Sequence, residues 1–251
     1  MRYLLVVLAV ALVTAVFLAA FLTTWGTKQS VGAKQGVAAY IVLLYSYPCC
    51  DYEQEWGKLL NLTTDKEVWV AVNVDDGPGS SVDSTYASII SKLKQKGFKV
   101  LGYIYSSYGN RSLETIYSEM DRWVRFYNVD GFLIDEVSTS LDSYSYYSSI
   151  YSNAKKLDRY VVLNPGTNID PTFFNVADKI VVFESPLEEY LKFSYLNYSS
   201  VAPDRVCTIV LNTPPDRWTT SCRRPLRTAA SASMYTTDPT TGKPATRPTS
   251  T

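Results

Sequence analysis

Val129-Asp-Gly-Phe-Leu-Ile-Asp-Glu136 is a short apolar strand that stops abruptly at two adjacent carboxylates, Asp135 and Glu136. The chain contains 251 residues and no histidine. Ser-His-Asp and Cys-His machinery and His-containing zinc sites are therefore excluded. Acid and base work falls to carboxylates, and glycoside hydrolysis is its commonest form. With 24 acidic and 24 basic residues the formal charge is zero, so no global field recruits nucleic acid or an anionic membrane surface. The aromatic content is high, with 20 tyrosines and 5 tryptophans. Flat rings of this kind suit a sugar-binding cleft as well as a packed core.

On either side of that stretch, short β-rich runs alternate with helical patterns, the signature of repeated βα units. Eight strands are expected: Ala39–Tyr47, Val68–Val74, Val100–Tyr105, Gly131–Asp135, Tyr160–Asn164, Lys179–Glu184, Val206–Asn212 and Ser233–Thr237. Ser84–Lys96 and Leu113–Tyr127 have amphipathic helical spacing, with N-caps offered by Asp83-Ser84 and by Asn110–Ser112 and a C-cap at Gly97. Eight such units favour a closed (β/α)8 barrel, an α/β fold, over an open doubly wound sheet. The absence of GxGxxG and GxxxxGK[ST] loops weakens a nucleotide-binding reading.

Outside the barrel, the apolar run from Tyr3 to Leu22 marks residues 1–24 as an export signal or a signal anchor, and its length favours an uncleaved anchor. Residues 25–36 read as a tether, 37–238 as the barrel and 239–251 as a Thr/Pro-rich tail. Adjacent Cys49 and Cys50 are not expected to pair with each other, which leaves a bridge from either one to Cys222 open. Asn61, Asn110 and Asn197 begin N-glycosylation sequons.

In a (β/α)8 barrel the active face lies at the C-terminal ends of the strands. Polar residues collect there: Asn73 to Gly79 after the second strand, Tyr103 to Gly109 at the third, Asp135 and Glu136 at the fourth, Asn164 at the fifth, Glu184 at the sixth and Asn212 at the seventh. Period-two alternation puts Asp135 with Leu133, and Glu136 with Ile134 on the opposite face. Glu184 shares parity with Ile180 and Val182, so it too is expected to reach the mouth. Strands four and six are two apart around the ring, a separation that brings two carboxylates across one cleft. The competing role for Asp135 or Glu136 is helix capping, or pairing with Arg111 or Lys179.

Taken in order, Leu43-Leu-Tyr-Ser-Tyr-Pro48, Asn73-Val-Asp-Asp-Gly-Pro-Gly79, Val100-Leu-Gly-Tyr-Ile-Tyr-Ser-Ser-Tyr-Gly109 with Arg111-Ser-Leu, Val129 to Glu136, Asn164-Pro-Gly166 and Val182-Phe-Glu184 resemble the spherulin 4 family. The resemblance runs from about Val37 to Pro214. It implies a (β/α)8 barrel related to the endo-α-1,4-polygalactosaminidases, secreted or surface-bound hydrolases of galactosamine-containing exopolysaccharide. By that resemblance Asp135 is the nucleophile or base, Glu184 the acid, and Glu136 an orienting group. Tyr45, Tyr103, Tyr105 and Tyr108 then offer stacking or hydrogen-bonding subsites, with Asn73, Asn164, Asn212 and Asp238 as further polar contacts. Asp75 and Asp76 are placed to hold a cationic amino sugar. No metal or organic cofactor is implied, no nucleic-acid partner is expected, and the protein is expected to be a monomer.

The chain departs from the family pattern near its end. Thr219–Ser233 should hold the seventh helix, but Arg223-Arg-Pro-Leu-Arg227 puts a proline in mid-segment, and closure of the barrel between strands seven and eight stays open. Two other classes fit the same residues: an inactive glycan-binding adhesion module, and a structural component of a cell-surface layer.

Overall fold

The computed structural model describes residues 39–211 and 221–222. Seven parallel strands follow one another around a barrel: β1 (Ala39–Leu44), β2 (Glu67–Val72), β3 (Lys99–Tyr105), β4 (Gly131–Asp135), β5 (Tyr160–Leu163), β6 (Lys179–Pro186) and β7 (Val206–Leu211). A two-residue strand, β8 (Ser221–Cys222), closes the ring by pairing antiparallel with both β7 and β1. The expected eightfold βα repeat is thereby corrected. An antiparallel closing strand needs no crossover helix. The expected eighth strand at Ser233–Thr237, the segments 1–36 and 239–251, and the predicted contacts Asn212 and Asp238 lie outside the described residues. Among the described residues no helix is long and apolar enough to cross a membrane.

Helices cover the first half of the barrel more fully than the second. α1 (Glu53–Asn61), α2 (Ser84–Gln95), α3 (Leu113–Tyr127) and α4 (Tyr144–Lys156) connect β1 through β5 in turn. The β5–β6 connection has only the 3₁₀ segment Pro171–Val176, and the β6–β7 connection contains the one-turn helix α5 (Leu187–Tyr190). α2 starts where Asp83 accepts hydrogen bonds from the Thr85 and Tyr86 N–H groups, and α3 starts where Ser112 accepts from Thr115. These caps satisfy N–H groups that have no partner inside the helix.

Two apolar layers fill the molecule. One lies between sheet and helices and includes Val70, Val72, Ile134, Ile180 and Val182 with Trp56, Ile90 and Trp123 from the helices. The other fills the barrel interior with Ile41, Leu43, Trp69, Ala71, Leu101, Leu133, Val162, Val181, Cys207 and Ile209. At the N-terminal end Lys179 is buried against the Trp69 ring and donates to the Asp204 carbonyl at 2.8 Å, so it closes the barrel away from the predicted mouth.

Close approach of α3 to the sheet depends on Gly102. A Cβ there would fall within 3 Å of several Trp123 ring atoms. The indole in turn donates through Nε1 to the Tyr103 carbonyl at 2.9 Å, tying the helix to the strand that carries a mouth residue. Gly102→Ala is expected to destabilise the protein by about 2–3 kcal/mol through overpacking, lowering Tm by roughly 4–12 °C for a domain of this size. Thermal melts of parent and variant check this; equal Tm values would mean that α3 can shift without cost.

The cysteines pair differently from the sequence expectation. Cys49 and Cys50 are joined to each other, and Cys207, which faces Cys222 in the β7–β8 ladder, is itself in a disulfide. The Cα atoms of Cys49 and Cys50 are 3.8 Å apart, closer than in most bridges. A left-handed backbone at Cys50, φ 61°, turns the chain so that adjacent thiols can meet. The sequon residues Asn61, Asn110 and Asn197 are all exposed.

Candidate active site

The interior pleat sets which side chains reach the mouth. Asp135 follows Leu133, Tyr103 follows Leu101, Asn164 follows Val162 and Tyr45 follows Leu43, each two residues beyond an interior position. Glu184 arrives by another route. Ile180 and Val182 face the helices, so simple alternation would send Glu184 the same way. Between Val181 and Glu184, however, β6 takes three residues where β7 takes two from Cys207 to Ile209. This bulge shifts the pleat by one residue and sets Glu184 beside the interior residue Ile209. Its N–H donates to the Gly166 carbonyl at 2.8 Å, which anchors the bulge to the loop after β5. Glu184 is thus in the mouth as expected, but the bulge puts it there, not the parity with Val182.

Asp135 and Glu184 meet at one amide. Asn164 Nδ2 donates to Asp135 Oδ1 at 2.9 Å and to Glu184 Oε2 at 2.5 Å. Asp135 also accepts from the Tyr103 hydroxyl and from the Glu136 N–H. Burial raises the Asp135 carboxyl above its ordinary range, and these three donors oppose the rise. Glu184 has one opposing donor, Asn164; burial first and the Asp135 charge second push it up to about 7. Burial and the Asp135 charge likewise push the Tyr103 hydroxyl far up, so it stays a donor at neutral pH. Three donors favour the charged form of Asp135 more than one donor favours that of Glu184, so of the two Glu184 holds a proton more readily.

Neither carboxylate of this pair is neutralised by the cations that could have claimed it. Arg111 pairs with Glu119 at 2.6 Å, donates to the Tyr105 carbonyl and lies 3.9 Å from the Tyr105 ring centroid. Lys179 sits at the other end of the barrel near Asp204 and Glu67. Glu136 adopts a left-handed backbone, φ 52°, uncommon for a residue other than glycine or asparagine. This turn aims its N–H at Asp135 and lets its carbonyl accept from Ser106 Oγ at 2.8 Å and Tyr108 N at 2.7 Å. Glu136 therefore meets Asp135 through its backbone N–H.

The predicted contacts divide by position. Tyr45 is buried edge-on against Tyr103, with ring centroids 5.2 Å apart, and forms the floor of the mouth. Asn73 Oδ1 accepts the Gly77 N–H, bracing its own turn, and one face of Tyr105 is covered by Arg111. Asp75 and Asp76 are exposed, and Asp76 is near enough to raise Tyr103. Tyr108 is 64% exposed beside Glu136, so its ring is open to a ligand. Sequence reasoning missed Ser106, fully buried, whose Oγ joins the Glu136 carbonyl to the Tyr147 hydroxyl. A serine in a Tyr-rich loop gives no signal for that role. Among the described residues no group of His, Cys, Asp and Glu side chains is arranged to hold a metal ion.

The sequence profile of Spherulin4, spherulation-specific family 4, matches residues 39–247. The chain belongs to this family. Spherulin-4 of Physarum polycephalum is 32% identical over 168 residues, 65% of this chain and 49% of that protein. The chain thus spans about half the length of this curated relative. The crystal structure of Aspergillus clavatus Sph3 in complex with GalNAc superposes with a TM-score of 0.63 at 23% identity, covering 72% of this chain and 80% of the other. At that identity the likeness is one of fold. In this Spherulin4 chain the described barrel carries at its mouth two carboxyl groups, of which Glu184 is pushed up to about 7, and a donor between them, a set suited to protonating a leaving oxygen while attacking the carbon it leaves.

Proposed function

We propose that this Spherulin4 chain is a glycoside hydrolase that cleaves a galactosamine- or N-acetylgalactosamine-containing exopolysaccharide. Its site of action would be outside the cell, either secreted or tethered to the outer face of the membrane through Tyr3–Leu22. The observation that carries the reading is the Asp135–Asn164–Glu184 bridge at the mouth of the barrel. Two oxygens held on one nitrogen stand no farther apart than the sum of the two bond lengths, about 5.4 Å. Retaining glycosidases hold their carboxyl groups about 5–5.5 Å apart, and inverting ones about 6.5–9.5 Å to admit a water. The bridging oxygens are only the near edges of the two carboxyl groups, and we take double displacement with retention as the proposed course. Asp135 would attack the anomeric carbon, and Glu184 would protonate the leaving oxygen and later activate water.

The test is release of new reducing ends from galactosamine-rich polysaccharide by the purified chain, with chitosan and pectin as controls. Release from the first polymer, with the anomeric configuration of the starting linkage kept in the first-formed product, is the expected result. A folded chain that binds the polymer and releases nothing would instead be a glycan-binding module on the same barrel.

A further inference from the structure

Asn164 has no amide hydrogen left for a substrate. Nδ2 carries two hydrogens, and Asp135 and Glu184 take one each. Oδ1 accepts the Gly166 N–H at 3.1 Å, which fixes the amide with its nitrogen toward the carboxylates. The Asn164 N–H donates to the Ile134 carbonyl at 2.8 Å, and its carbonyl accepts from Val137 at 3.3 Å. The residue is only 3% exposed. A buried side chain with both amide hydrogens on two carboxylates serves those carboxylates.

We propose that Asn164 is a positioning residue for the pair: it sets their spacing and supplies a hydrogen bond to whichever member carries the negative charge as that charge crosses between them. The proposal rests on the hydrolase reading above. In the first half-reaction the glycosidic C–O bond breaks, its oxygen takes the proton of Glu184, and an Asp135 oxygen bonds to the anomeric carbon. Asp135 goes from anion to neutral ester while Glu184 goes from neutral acid to anion. In the second half, water gives one proton to Glu184 as its oxygen bonds to the anomeric carbon, and Asp135 leaves as the carboxylate. The pair carries one negative charge throughout, and only its location changes. A donor with one hydrogen on each partner meets both charge states without rearranging, so little reorganisation opposes the step.

Two variants and two readouts test this. Asn164→Ala removes the donor; Asn164→Asp keeps the shape but, ionised, can only accept. Both are expected to lower kcat at least 100-fold while KM changes less than about threefold, because the side chain acts on the pair and not on the sugar. In Asn164→Ala the Glu184 anion loses its donor, so the alkaline limb of the kcat–pH profile should move up by about one pH unit. The second readout needs no turnover: ¹³C-carboxyl NMR titration of Glu184 in the full chain, its signal assigned by its absence in Glu184→Gln, should shift upward in the same variant. A raised KM with kcat and limb unmoved would make Asn164 a substrate ligand and overturn the proposal. Parental activity in a folded Asn164→Asp would also overturn it, because shape alone would then suffice. A parent that cleaves no polymer, but whose Glu184 titration still moves in Asn164→Ala, supports the positioning role and removes the hydrolase reading alone.

Discussion

Glu184→Gln is expected to cost at least 10³-fold in kcat on a polysaccharide with a poor leaving group, and to erase the alkaline limb of the pH profile. General acid catalysis contributes about 10²–10⁴-fold, and a glutamine amide has no proton to give. Burial and the neighbouring Asp135 charge hold Glu184 near 7, so the parent should lose activity as pH rises through about 7. At the acid end the limit is Asp135, which must be ionised to attack and whose carboxyl is itself raised by burial. The optimum therefore falls on the acid side of neutral. An activated aryl glycoside, which needs little protonation, should recover much of the lost rate in the first step. The same residue predicts a stability effect with a definite sign. Its folded value of about 7 exceeds the ordinary 4.5, so its contribution to stability is full below about 4.5 and is lost as pH rises through 7. At pH 8 the parent buries an anion that the glutamine variant lacks. The variant should be the more stable by about 1–3 kcal/mol at pH 8, and the gap should close below pH 5. Urea unfolding at the two pH values measures it; a gap equal at both, or a parent rate flat from pH 6 to 8, would remove Glu184 as the acid.

How much of this site was legible in the sequence differs from residue to residue. Gly131–Asp135 reads as a strand with correct bounds because a glycine opens it and a carboxylate ends an unbroken apolar run, as expected for a strand buried on both faces. α3 was equally plain, since Ile116, Met120 and Trp123 fall on one helical face and all are buried. The bulge in β6 was not legible. Ile180-Val-Val-Phe183 is apolar at every position, so alternation carries no information about which residues face inward, and a one-residue slip leaves no trace. Glu184 was placed in the mouth by a parity that the bulge reverses. Asn164 was visible as a polar strand end, but its partners come from β4 and β6, and only the closed sheet brings them to one nitrogen. In the second half of the barrel the connections lack helical periodicity because they are a 3₁₀ segment and a single turn, so regular βα repetition overstated the repeat.

The larger loss is expected at Asp135. Asp135→Asn removes the atom that forms the glycosyl ester, and kcat should fall by about 10⁴-fold or more, with no recovery on an activated aryl glycoside because the missing step is bond formation, not protonation. The fold should survive. The Asn Oδ1 can still accept from the Glu136 N–H and Asn164, and its amide can donate to the Tyr103 hydroxyl, which rotates from donor to acceptor. The variant has a second consequence that a merely structural aspartate would not produce. The Asp135 charge is one of the two causes that raise Glu184, so with that charge gone Glu184 should titrate below its parental value of about 7. The same ¹³C titration used for Asn164 would therefore move in opposite directions in Asp135→Asn and Asn164→Ala. Mass spectrometry adds a direct test of the bond itself. In Glu184→Gln given an activated aryl glycoside, the glycosyl-enzyme forms without an acid but lacks the base that activates water, so a covalent adduct should accumulate on the peptide containing Asp135. The Asp135→Asn/Glu184→Gln pair should show none. An adduct that persists in the double variant would assign the nucleophile elsewhere at the mouth, with Glu136 the next carboxylate along the strand end.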